Sequence, residues 1–374
     1  MARLSHRHDT TWPATQDRRP GFRVFRLLWR TQNTTRAFSS NTSNGMNTMK
    51  QTVDFRFAPD ARRAQQLDQE MRSELAGSIR YLRDACLGQI DFDNPALSRI
   101  ADELDNGALY SAKTFSIYYD LVLAITTDQH EEAAKLFASL AKEQPLSRKL
   151  ITGLDDSVGG EIYASRMMES MPEGITLASP SGQVQRQFTE NFQAASQLLK
   201  AGLPELAGEL EAIIHEVVCV TGGPHDRGQF HGGSHYQLWG ALFLNGGLHA
   251  TRLEMAEVIA HESAHSLLFG FCTQENLVRN PDEELFPSPL RSDPRPMDGI
   301  FHATFVSARM HWAMKSLVDS GLLSAEEIAA AQDAAAIDAR NFRDGFCTIA
   351  AHGDLSHHGR ELIENAHDYI QRAA

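Results

Sequence analysis

A chain of 374 residues, 42% hydrophobic and 22% charged, is long enough to bury a large core, and it has no apolar run of bilayer-spanning length. Residues 1–49 carry eight Arg, no Lys and two Asp, a formal +6 against −13 for the whole, so the remainder stands at −19; a body that acidic excludes nucleic acid as the expected partner. The four cysteines (Cys86, Cys219, Cys272, Cys347) form no C-x-x-C pair, which argues against a Cys-ligated zinc site or a disulfide scaffold and for reduced thiols in a cytoplasmic protein.

Residues 1–48 are rich in Arg, Ser and Thr and show no hydrophobic period, so they are expected to form a disordered extension. An organellar transit peptide has a similar composition, and Met46 or Met49 offers an alternative first residue. From about Pro59 the pattern turns helical, with Leu67, Met71, Leu75, Ile79 and Leu82 at steps of three and four. "NPALSRIADELDNG" has a Pro just inside its start and a Gly just past its end. "SAKTFSIYYDLVLAITT" and "HEEAAKLFASLAKEQP" continue the series, and residues 49–150 read as an α-helical region. The period lapses around "LITGLDDSVGGEIYASRM", where a second region, residues 151–374, begins. It opens with a helix ("SGQVQRQFTENFQAASQLLKAG"). "EAIIHEVVCVTGG" and "HYQLWGALFLNGG", rich in β-branched and aromatic residues and ending in Gly pairs, read as short strands or helix-then-strand. A helix from about Arg252 to Phe269, a Pro-rich loop from Asn280 to Pro296, a helix from about Asp298 to Val318 and two closing helices follow. The expected class is α+β, predominantly α-helical: an N-terminal bundle, then a helical metal-binding half with a small β-sheet.

The chemistry concentrates in "VIAHESAHSLLF" (258–269). His261 and His265, four apart, stand on one face of a helix one turn apart, about 5.4 Å, so both imidazoles can reach a single ion. Glu262, rotated by roughly 100°, is placed beside the ion as an acid/base or outer group rather than as a ligand. Two bare imidazoles inside an apolar helix are costly without partners, which favours metal ligands over core histidines. A third ligand has to come from elsewhere. Glu284, with eighteen residues between it and His265, has the spacing of aminopeptidase-like zinc enzymes, but Pro281, Pro287, Pro289, Pro294 and Pro296 exclude the helix such a glutamate stands on. His302 opens an apolar helix that Asp298 can cap, and is the expected third ligand. Arg309 falls on its face two turns on. His231, His235, His249 and His311 read as loop or solvent-facing histidines.

From about Glu254 to Val318 the sequence resembles a bacterial H-E-x-x-H family associated with ribosomally made, modified peptides, through "EVIAHESAHSLL", "SPLRSDPRPMDGIFHATFVSAR" and the helix that follows. The family includes iron- and α-ketoglutarate-dependent peptide β-hydroxylases. The resemblance implies Fe(II) on His261, His265 and His302, O2 and α-ketoglutarate as co-substrates, a precursor peptide as substrate, and Arg291, Arg295 or Arg309 as the cation for the co-substrate carboxylate. Arginine's planar fork suits a carboxylate bidentately. Three histidines suit zinc as well, so a zinc metallopeptidase with Glu262 as general base stands as the alternative. A scaffold that binds a peptide without catalysis is a third reading.

Overall fold

A computed structural model describes residues 54–169, 171, 174–223, 230–273, 275–290 and 293–373. The extension 1–48 lies outside them. Asp60 accepts a hydrogen bond from the Arg63 backbone N–H and starts α1 (Ala61–Cys86), whose Leu67, Met71, Leu75, Ile79 and Leu82 form the buried stripe that their spacing predicts. Asp93 caps α2 (Asn94–Asp105), with Pro95 in its first turn. α3 (Ala112–Thr126) is buried on most of its surface, and α4 (His130–Leu140) packs on it. These four helices precede β1 (Leu150–Gly153), α5 (Glu161–Glu169) and β2 (Leu177–Ala178). Next come α6 (Gly182–Gly202), α7 (Pro204–Ile213), β3 (Glu216–Gly222), β4 (Gly232–Gly233) and β5 (Ala241–Asn245). The last part is α8 (Arg252–Phe271), a two-residue pairing of β6 (Leu285–Phe286) with β7 (Arg295–Pro296), α9 (Met297–Asp319), α10 (Ala325–His352) and α11 (His357–Ala373). The protein is α+β and predominantly helical. Among the described residues no helix is long and apolar enough to cross a membrane.

The sheet runs β1-β3-β5-β4, parallel through β1, β3 and β5, with β4 antiparallel at one edge and β2 paired to the far end of β3. β3 and β5 are covered on both faces, as parallel strands require. Alternation then splits their side chains between two apolar clusters. Val217, Cys219, Leu242 and Leu244 join the large cluster with α8, while Val218, Val220, Ala241 and Phe243 join a smaller one with Tyr163 and Met167 of α5. Asp68 of α1 ties that helix to the sheet side, accepting from Trp239 Nε1 at 3.0 Å and Arg72 Nε at 2.9 Å.

α9 is held by a buried carboxylate. Glu209 of α7 lies between Arg63 Nη2, at 2.7 Å, and Arg309 Nη2, with all three side chains at most 2% exposed. The two guanidinium groups also donate to the backbone carbonyls of Arg56, Ala58 and Phe57 at 2.6, 2.8 and 2.9 Å. One charge thus joins residues 56–63, α7 and α9. Removing it with Glu209→Ala leaves two buried guanidinium groups against each other, and a loss of about 3–5 kcal/mol is expected. Urea unfolding followed by circular dichroism measures it; a loss under about 1 kcal/mol would show that the network does not hold α9.

Candidate metal centre

α8 begins with a capping box in which Thr251 accepts from the Glu254 N–H and the Glu254 side chain reaches back to the cap. None of its twenty residues is exposed. α1, α6, α7, α9 and β4 all pack against it. The ridge of four-residue steps through Glu257, His261, His265 and Phe269 is its least buried side, and this ridge meets α9.

The two Nε2 atoms of His261 and His265 lie 3.1 Å apart. Imidazole nitrogens each about 2.0–2.1 Å from one ion stand roughly 2.9–3.4 Å apart, for angles between octahedral and tetrahedral. The pair therefore fits a shared ion. At that distance either an N–H of one ring donates to the lone pair of the other or both lone pairs face one cation, and burial together with the neighbouring ring charges holds both histidines well below their ordinary pKa, so both rings are neutral and can take either arrangement.

His302 is buried and reaches the pair: its Nδ1 is 3.0 Å from Nδ1 of His265, the rings nearly parallel with centroids 5.2 Å apart. It meets the nitrogen opposite the one that faces His261. Among the described residues no three side chains already bring their donor atoms to one point. Asp298, in the first turn of α9 rather than at its cap, has its carboxylate 4.0 Å from His302 Nε2. Phe269 stands over His302 at 5.6 Å between centroids.

Glu262 is fully buried, and neither carboxylate oxygen has a hydrogen-bond partner. Burial alone pushes its pKa well above the ordinary carboxylate range. It lies against β4: a Cβ on Gly232 would come within 2.5 Å of Glu262 Oε1, 2.9 Å of Leu244 Cδ2 and 3.2 Å of the Phe243 carbonyl. Such an orphaned carboxylate one residue from a ligand pair fits an absent cation or its bound water.

The other expected site residues separate. Arg309 does not face the histidines; its guanidinium is bound to Glu209 and the Phe57 carbonyl. The physical reason is helix rotation. The ridge facing α8 runs from His302 in four-residue steps to Met310, whose Sδ is 3.1 Å from His261 Nδ1, and Arg309 falls on its flank. Arg295 is 9% exposed on β7, three residues ahead of Asp298, and pairs with Asp293 at 2.9 Å. Arg291 lies outside the described residues. Glu284 is exposed and accepts from Asn280, away from the cluster. His235 and His311 are buried rather than solvent-facing, His311 with its Nδ1 on the Ala335 carbonyl. His231 and His249 are half-buried; His249 Nε2 meets the His231 carbonyl at 3.0 Å, and His231 is lowered to about 4 by burial and then by His249. Met310 and Gly232 are the neighbours that sequence reasoning missed. A step of eight from His302 and the pair "HGG" were their only local signals.

No family model matches the chain, and no curated protein matches it significantly.

The geometry sets two outcomes. Gly232→Ala forces Glu262 or Leu244 to move and should destabilise by about 1–3 kcal/mol, read as a lowered thermal midpoint; an unchanged midpoint would mean the carboxylate shifts freely. In the metal-free protein, unfolded histidines take protons near pH 6.5 while His261, His265 and His302 resist. Their contribution to stability is therefore present above about pH 6.5 and declines as the pH falls below it, with Glu262 acting in the opposite sense as pH rises above its unfolded value. Thermal melts across that range, with His261→Ala as reference, should show a steeper acid loss in the wild type.

Proposed function

We propose that the chain is an Fe(II)- and α-ketoglutarate-dependent dioxygenase that hydroxylates a side-chain β-carbon of a ribosomally made peptide, in which His261 and His265 would hold iron through Nε2 and His302 would join as third ligand by turning from its contact with His265 Nδ1. The observation that carries a metal enzyme is the pair of Nε2 atoms 3.1 Å apart, with a third buried imidazole against one of them. The choice of iron and α-ketoglutarate is supported by the likeness of residues 254–318 to the peptide hydroxylases. When bound, iron with α-ketoglutarate supplies O2 activation coupled to loss of CO2 from the co-substrate.

The residues around it have definable tasks. His261 and His265 bind the ion as neutral imidazoles, since burial opposes their protonation. Phe269 and Met310 line the ligands with apolar groups and keep water from competing at their outer faces. Of the arginines considered for the co-substrate carboxylate, Arg295 is the described one whose partner, a half-exposed Asp293, can be exchanged for an incoming carboxylate. The zinc-peptidase reading has one observation in its favour. Glu262 is an unpartnered carboxylate beside the ligand pair, as a general base for a metal-bound water would be.

The deciding experiment incubates the purified protein with Fe(II), ascorbate, α-ketoglutarate and a short peptide encoded beside its gene. Intact-mass spectrometry is expected to show one added oxygen, lost when α-ketoglutarate is omitted. Peptide fragments under Zn²⁺, with no added oxygen under Fe(II), would overturn the hydroxylase in favour of the peptidase.

A further inference from the structure

We propose that Met310 is a positioning residue of the metal site, holding His261 in the tautomer whose Nε2 lone pair faces His265; this rests on the reading that His261 and His265 share a metal. A neutral imidazole has one N–H and one acceptor nitrogen, and its partners decide which is which. His261 Nδ1 is 3.1 Å from Met310 Sδ, and both residues are buried, His261 at 3% and Met310 at 8% exposure. A thioether sulfur can only accept. The contact is therefore satisfied when Nδ1 carries the proton, which places the lone pair on Nε2, the atom facing His265.

The same helix attends to the second histidine. His302, two turns before Met310, sets its Nδ1 against Nδ1 of His265, so α9 meets the non-facing nitrogen of each ligand. The two partners differ in chemistry. Metal-bound histidines usually donate to a carboxylate, carbonyl or water, which raises their basicity. Sulfur is a weak, polarizable acceptor, so Met310 orients the ring while adding little electron density to it. His261 would then be a less basic ligand than a histidine that donates to a carboxylate.

The test is Co(II) titration of the full chain, read by the d–d absorption of bound cobalt, with wild type, Met310→Leu, Met310→Gln and His261→Ala. Leucine conserves volume and removes the acceptor; glutamine restores one. Met310→Leu should bind Co(II) about tenfold or more weakly, the range of lost outer-shell contacts, while Met310→Gln stays within about threefold of wild type. ¹⁵N-imidazole NMR of the metal-free protein should show His261 protonated at Nδ1 in wild type and a tautomer mixture in Met310→Leu, a signal that packing alone does not move. Wild-type affinity in Met310→Leu, or an unchanged tautomer signal, overturns the proposal and leaves the metal reading intact. A wild type that binds no Co(II), Zn(II) or Fe(II), like His261→Ala, overturns the metal reading and this proposal with it.

Discussion

A helix packed on most of its surface has to account internally for the polar groups that it buries, because water does not reach them freely. α8 carries two imidazoles and a carboxylate within five positions. A structural helix at the centre of a core would hold alanine or leucine there. The three polar residues persist in a helix that the core encloses, and each is arranged in relation to a neighbour on another element. His261 meets α9 through sulfur and His265 meets α9 through His302, while Glu262 meets Gly232, a sheet residue that has no side chain. The rest of the architecture serves that enclosure. α1, α6 and α7 close one side of α8, and the sheet closes another with a glycine where bulk would displace the carboxylate.

What the sequence made legible follows from the range over which its signals act. The ends of α8 and its histidine pair depend on residues three and four apart, and they stand where the capping residues and the H-E-x-x-H spacing put them. The stripe of α1 was readable for the same reason. β3 and β5 were visible as β-branched runs, although their parallel register was not, since nothing local encodes which strand lies alongside. His302 was placed at the start of a buried helix, and the structure brings it to His265.

The failures have a common cause. Whether Arg309 or Met310 points at α8 depends on the rotation of one helix against another, which a step of one residue changes by about 100°. Arg309 seemed a free cation because Glu209, its partner, lies 100 residues earlier. Gly232 and Glu262 sit 30 positions apart on either side of a strand and a turn, and a glycine gives no sign of what it makes room for. His231 and His249 stand in loops, as expected of them, but half-buried and against each other.

The Glu209 network has a consequence for how the chain reaches this state. Its contacts span 100, 146 and 252 residues. Closing such loops costs entropy before any return from the contact, and a charge is stable in the interior only once both of its partners have arrived. The carboxylate and its two guanidinium groups are therefore all paired only when residues 56–63, α7 and α9 are in place together. His302 and Met310 ride on that helix. The histidines of α8 therefore have their α9 neighbours in place only when segments 252 residues apart are joined, so the geometry of the histidine cluster depends on the whole fold.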